Sequence, residues 1–265
     1  MNYADALSGA YLGSSKNAPI LLVNDGVLND VKEYIRKNLK DGGTVYLLGG
    51  DTIVPAAVTE GLTGVETKRL FGSNRYETNL DILRELGVSK EDLLVCDGTN
   101  FADSLSASAV PYPILLVKGE LNDNQRAYLG KIETEHFYLI GGTGAVPEAV
   151  ENELKSKYGE VTRVGGANRY ETSALVAEAF FPETKKAVVA FGQNYPDGLC
   201  GGPLGAYIGA PILLSRDASV SITAKYSNKA GITSGIVLGG PTLVSDESIR
   251  KIFSMKDGDV IKVIN

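Results

Sequence analysis

Four short blocks recur along this chain in a fixed order, and that repetition constrains the fold more than any single motif does. The first reads "NYADALS" from Asn2, "NFADSLS" from Asn100 and "NYPDGLC" from Asn194. The second is "APILLV" around Pro19, "YPILLV" around Pro113 and "APILLS" around Pro211. The third is "VYLLGG", "FYLIGG" and "GIVLGG", ending on glycine pairs 49–50, 141–142 and 239–240. The fourth, "RLFGSNRYET" from Arg69 and "RVGGANRYET" from Arg163, occurs twice. Copies lie 92 to 98 residues apart, longer than solenoid periods, so each should be a small lobe in its own right.

The front of the chain lacks the fourth block. Arg169 precedes Asn194 by 25 residues, and no comparable stretch stands ahead of Asn2, so the chain is expected to open inside a repeat. At the other end, "DVIKVIN" at 259–265 matches "EVTRVGG", with Lys262 where Arg163 stands. This run is expected to form a strand closing the lobe before it. Three lobes result: 1–71, without its opening helix and strand, then 72–165 and 166–265.

Within a lobe, apolar spacing separates helices from strands. Tyr76, Leu80 and Leu83 recur at helical steps, stopped by Gly87. "DLLVCDG", "AVVAFG", "PILLV" and "VYLLGG" are unbroken apolar runs, as in strands covered on both faces. After each glycine pair a helix is expected, with Val54, Val58 and Leu62 in one copy and Val146, Val150 and Leu154 in the next. Pro55 and Pro147 fall in its first turn, where proline is tolerated. Strands alternating with helices imply an α/β fold with parallel sheets between helix layers. Three similar lobes invite a pseudo-threefold arrangement.

Composition narrows the function classes. Apolar residues make up 43% of the chain and no run is long enough to span a membrane, so membrane insertion is not expected. The first residues lack the basic start of a signal peptide. A net charge of −6 without a basic block argues against nucleic acid as a partner. Cys96 and Cys200 occupy different places in the repeat, and the lone His136 precedes an apolar run, so no metal set emerges. No copy has a dinucleotide glycine fingerprint or a Walker lysine, so no cofactor is expected.

Ligands of parallel sheets bind outside the carboxyl ends of the strands. Two blocks fall there: the Asn-Tyr/Phe-x-Asp turn and the glycine pair. Glycine for a tight turn and Asp5, Asp103 and Asp197 as helix caps would explain these residues by structure alone. Backbone N–H groups at such turns also suit an anion. Arg75 and Arg169 open a helix, where a cation opposes the macrodipole. Each needs either a carboxylate, from Glu77, Glu171 or the first-block Asp, or an anionic ligand for its planar fork. Arg69 and Arg163, ahead of the glycine turn, are second candidates. The acids are spread one per lobe, which suits a scaffold or multivalent binder better than a catalyst.

The four blocks together resemble the cell-wall-binding repeat type 2 family, found in wall-anchoring modules of clostridial surface-layer proteins and beside some peptidoglycan amidases. The resemblance covers essentially the whole chain. It implies three tandem Rossmann-like lobes in a pseudo-trimeric module. Its implied role is non-catalytic attachment to an anionic secondary cell wall polysaccharide outside a Gram-positive cell, with other surface-layer proteins as further partners. The family's motif arginine falls on Arg75 and Arg169, and its Asn/Asp turn on Asn100, Asp103, Asn194 and Asp197. The first copy keeps only Asn2 and Asp5. A wall-glycan enzyme and a surface-layer assembly module stand as alternatives. The second copy is shorter by four residues between Asn100 and Pro113, which clips one helix.

Overall fold

The computed structural model of the chain describes residues 3–263; Asn2 and the last two residues of the 259–265 run lie outside them. In chain order the helices are α1 (Tyr3–Ser8), α2 (Ala10–Ser15), α3 (Leu28–Asn38), α4 (Arg75–Glu85), α5 (Ala102–Ala107), α6 (Asp123–Leu129), α7 (Glu148–Lys157), α8 (Arg169–Phe180), α9 (Gly201–Ile208), α10 (Val220–Ala230) and α11 (Asp246–Ile252). The strands are β1 (Thr44–Leu48), β2 (Glu66–Leu70), β3 (Leu93–Asp97), β4 (Ile114–Val117), β5 (His136–Ile140), β6 (Glu160–Val164), β7 (Lys186–Phe191), β8 (Ile212–Ser215) and β9 (Ser234–Leu238).

Among the described residues the strands form three parallel sheets, ordered β1-β2, β4-β3-β5-β6 and β8-β7-β9. The apolar runs explain the arrangement. Every residue of β4 and β8 is buried, which requires cover on both faces and hence helices on either side. The lone histidine begins β5 and stacks on Tyr138, and both cysteines are free. No described helix is long and apolar enough to cross a membrane.

Equivalent residues of the three copies meet at the centre. Leu7, Leu105 and Leu199 hold the same place in their first blocks, are fully buried and belong to one apolar cluster. Beside them the rings of Tyr3, Phe101 and Tyr195 form a triangle with centroids 6.1, 5.5 and 5.2 Å apart. Residues equivalent by sequence touch one another in this way only around a shared axis. The pseudo-threefold arrangement therefore has a packed aromatic and aliphatic hub.

Three expectations are corrected. The run 19–23 is not a strand. β4 pairs with β3 and β8 with β7, and no described strand of the first lobe stands where β3 and β7 stand. Leu21 is consequently 37% exposed, while its counterparts Leu115 and Leu213 are fully buried.

The helix expected over 54–62 is only a short 3-10 turn, Ala56–Val58, whereas the second copy forms α7. Gly61 and Gly64 adopt left-handed backbone, with φ of 74° each, and end any helix there. The run 259–263 is not paired to β9 either. A turn at Lys256–Asp259 ties it back toward α11, through the Lys256 N–H to Asp259 and Arg250 to the Asp259 carbonyl. Lys262 also replaces the arginine by which β6 grips the neighbouring glycine turn.

Candidate functional site at the seams between repeats

The Asn-Arg-Tyr-Glu-Thr string is a helix start in which each side chain has its own task. Asn74 and Asn168 are N-caps: their side-chain oxygens accept from the N–H groups of Tyr76 and Glu77, and of Tyr170 and Glu171. Thr78 and Thr172 accept from the N–H of Gly72 and Gly166, at 3.0 and 3.1 Å, which locks the glycine turn to its helix. Tyr76 and Tyr170 pack beneath Gly98 and Gly192, where a Cβ would come within 2.6 and 2.5 Å of the ring.

The arginines cross to the preceding repeat. Arg75 donates to the Gly98 carbonyl at the end of β3 and to the Tyr3 hydroxyl at 3.3 Å, and its guanidinium lies 5.4 Å from the Tyr3 ring centre. Arg169 repeats the geometry one copy later, donating to the Gly192 carbonyl at 2.6 Å and lying 5.2 Å from the Phe101 ring centre. Carbonyl, π face and carboxylate together offset the cost of a cation at a helix start. The carboxylates come from the first-block aspartates: Arg75 acts on Asp5 and Arg169 on Asp103.

Those aspartates do not cap their helices. Asp5 and Asp103 lie inside the first turns of α1 and α5, and the N-cap of α5 is Phe101, without a side-chain bond. They turn instead onto the glycine pair. A Cβ on Gly49, Gly141 or Gly239 would lie 3.1, 2.4 or 2.9 Å from an oxygen of Asp5, Asp103 or Asp197. These glycines have φ of 113°, 107° and 108°, so backbone and close approach both demand glycine. Burial holds the Asp5 and Asp103 carboxyls up at about 6, and the facing arginine pulls each only part of the way back.

The remaining candidates divide by exposure. Arg69 and Arg163 are partly buried and donate to the carbonyls of Gly49 and Gly141, at 2.7 and 3.0 Å. Arg69 also pairs with Asp51, and Arg163 with Glu151. They brace the glycine turn from the neighbouring strand. Asn100 and Asn194 are exposed, and their side-chain oxygens accept from the N–H of Ala102 and Tyr195. Asp197 is exposed, unlike buried Asp5. All these groups lie at the carboxyl ends of the strands. Tyr3, Phe101 and Tyr195 are further members of this region that the motif candidates do not include, and an aromatic residue at one place in every copy is the signal for them in the sequence.

A family model described as cell wall binding domain 2 matches residues 1–59, 69–151 and 163–249. The N-acetylmuramoyl-L-alanine amidase LytC of Bacillus subtilis (strain 168) is 32% identical over 215 residues, covering 79% of this chain and 42% of that protein. The amidase enhancer of the same strain is 30% identical over 267 residues, covering 97% of this chain and 36% of its own length. Among solved structures, Cwp8 from Clostridium difficile superposes with a TM-score of 0.82 at 28% identity, over 95% of this chain and 45% of that one. Cwp6 from the same organism shares the fold, with a TM-score of 0.79 at 24% identity over 95% of this chain and 42% of that one. The chain thus spans less than half the length of these relatives. With its three tandem copies, it belongs to the cell wall binding domain 2 family.

Proposed function

We propose that this chain is a non-catalytic anchor, holding a surface protein to a Gram-positive wall by binding an anionic secondary wall polysaccharide outside the cell. One observation carries the reading. Two guanidinium groups and three aromatic rings, drawn from all three copies, converge at the carboxyl ends of the strands. Planar guanidinium forks suit phosphate or carboxylate groups, and ring faces suit the apolar faces of sugars. Exposed Asn100 and Asn194 flank this region as hydrogen-bonding groups for sugar hydroxyls. Asp103 and Asp197 shape the turn beside them, and Arg69 and Arg163 brace its wall.

The distribution of acids supports binding over turnover. Asp5 and Asp103 are each engaged by the arginine of the following repeat, so the acids are divided among seams instead of gathered around one scissile bond. Weak sites repeated around an axis gain from one polymer by effective concentration. The net charge of −6 does not oppose this at short range, since the general field is screened beyond about 8 Å at physiological salt.

The test is co-sedimentation with purified walls, comparing the native chain with an Arg75→Ala, Arg169→Ala double variant and with Arg75→Lys, Arg169→Lys. Circular dichroism checks that each remains folded. Loss of retention in the alanine variant, partly restored by lysine, is expected. Full retention by a folded alanine variant would remove these arginines from the binding surface.

A further inference from the structure

We infer that the second lobe carries a subsite for one neutral sugar residue, in the cavity beside Tyr76 and separate from the arginines at the seams. The inference takes its ligand class from the reading of the chain as a wall-polysaccharide binder, and adds a contact which that reading does not contain.

The cavity has a volume of about 390 Å³ and lies between the start of α4 and the loop that follows β4. That is near the lower end of the range for small-molecule sites. Tyr76 and Leu121 supply its apolar lining, and Leu121 is fully buried.

The third lobe shows what closes the same place. There the corresponding tyrosine, Tyr170, is 5% exposed. Arg216 lies over its ring, 5.7 Å from the ring centre, and donates from Nε to the Ser219 hydroxyl at 3.0 Å. The Gln193 amide donates to the Tyr170 hydroxyl at 3.0 Å. Gln125 of α6 and Thr223 of α10 fix the alignment of the two lobes, since they donate to equivalent carbonyls, those of Leu116 and Leu214. On that alignment Lys118 stands for Arg216, and Thr99 for Gln193. Lys118 is exposed, and the Thr99 hydroxyl turns back to donate to Asp97 at 2.7 Å. Neither cap is in place, and Tyr76, half-buried, lines an open cavity instead.

The polar lining selects the ligand. Lys118 and Arg126 are balanced by Glu120 and Asp123. Arg126 lies 3.9 and 3.1 Å from these two acids, and 2.9 Å from Glu153. Balanced charges give an anion no net attraction, unlike the arginines at the seams. They match hydroxyl groups, each of which both donates and accepts. A tyrosine beside them offers its ring to the C–H face of a pyranose. Tyr76 directly follows Arg75, and both meet Gly98: Arg75 donates to its carbonyl and Tyr76 packs beneath it. A glycan held through a charged group at Arg75 therefore brings a neighbouring neutral residue toward this cavity.

The experiment titrates the intact, isotope-labelled chain with glucose, galactose, mannose, N-acetylglucosamine and N-acetylmannosamine, and with glucuronate as the charged comparison. Amide chemical shifts locate the contact. At least one neutral sugar should move the resonances of residues 76 and 118–123, with the same affinity at low and high salt. A Thr99→Gln, Lys118→Arg variant, which installs the caps of the third lobe, should weaken that binding by about fivefold or more, as loss of a hydrogen bond or two does. Unmoved resonances with every neutral sugar overturn the proposal, and so does equal affinity in the variant. Shifts at these residues from glucuronate alone, fading with salt, also overturn it, since the cavity would then hold an anion. Retention on walls plays no part in this readout. A chain that binds the sugar here yet fails to sediment with walls removes the anchor reading and leaves the subsite in place.

Discussion

The guanidinium of Arg169 lies 5.2 Å from the ring centre of Phe101, a residue 68 positions earlier in the preceding repeat, while its Nη1 donates to the Gly192 carbonyl of its own repeat. One side chain therefore ties two lobes and a strand end together. Replacing it tests both roles. Arg169→Ala should lower stability by about 1–3 kcal/mol, the usual range for losing a charged hydrogen bond and a π contact. Arg169→Lys should recover only part of this, because an ammonium keeps the charge but not the fork. Thermal unfolding monitored by circular dichroism reads the difference, and an alanine variant as stable as the native chain would contradict the seam role.

The carboxyls at the seams predict an unusual response to acid. Asp5 and Asp103 titrate at about 6 in the folded chain, above the ordinary value of 3.8. Between those values the folded state holds protons that the unfolded state does not. Stability from these two groups therefore rises as pH falls from about 7 toward 4, and is lost again as pH climbs through 6. Urea unfolding across that range should show this rise, and Asp103→Asn should flatten part of it. A native profile that falls steadily with acid, unchanged by the substitution, would refute the assignment.

Asn79 offers a test of how an edge strand is held. Fully buried on α4, it donates to the Ile114 carbonyl at 2.7 Å and accepts from the Leu116 N–H at 2.9 Å, covering the outer backbone of β4. Asn79→Ala leaves both groups buried without those bonds, at a cost of about 2–4 kcal/mol. In the third lobe Ser173 holds the equivalent place and accepts one bond from this edge, from the Leu214 N–H at 3.1 Å, so Ser173→Ala should cost less. Chemical denaturation of both variants gives the comparison, and equal losses would count against it.

An anionic polymer implies a salt response. Retention on purified walls should fall steadily between 0.05 and 1 M NaCl on the order of the change in Debye length, from about 14 to about 3 Å. Retention that is flat across the series would point to a neutral glycan read by the aromatic rings alone.

The sequence made much of this legible because repetition converts a weak pattern into a strong one. The apolar runs of β3, β4, β7 and β8 specified buried parallel strands, and the glycine pairs marked their neighbours' ends. The run 19–23 carries the same letters as β4 yet forms no strand, since a strand needs a partner and residue type cannot supply one. At the seams, Arg75 and Arg169 stand out because a cation opposes the helix dipole, which calls for a carboxylate such as the first-block aspartate or for an anionic ligand. Which repeat provided it was a matter of contact across some seventy residues, beyond the reach of local spacing. The aspartates read as caps because residue type alone fits that role, yet α5 begins at Phe101 without a side-chain cap, and the asparagine caps belong to other helices, α4 and α8.

The triangle of Tyr3, Phe101 and Tyr195 bears on how such a chain can change length. In linear repeat arrays each unit touches only its neighbours, so copies can be gained or lost at little cost. Here every copy contributes one ring to a common hub, and removing a copy leaves the other two rings facing a void. Copy number is thus fixed by closure around the axis. A longer anchor of this kind would have to be assembled from whole sets of three.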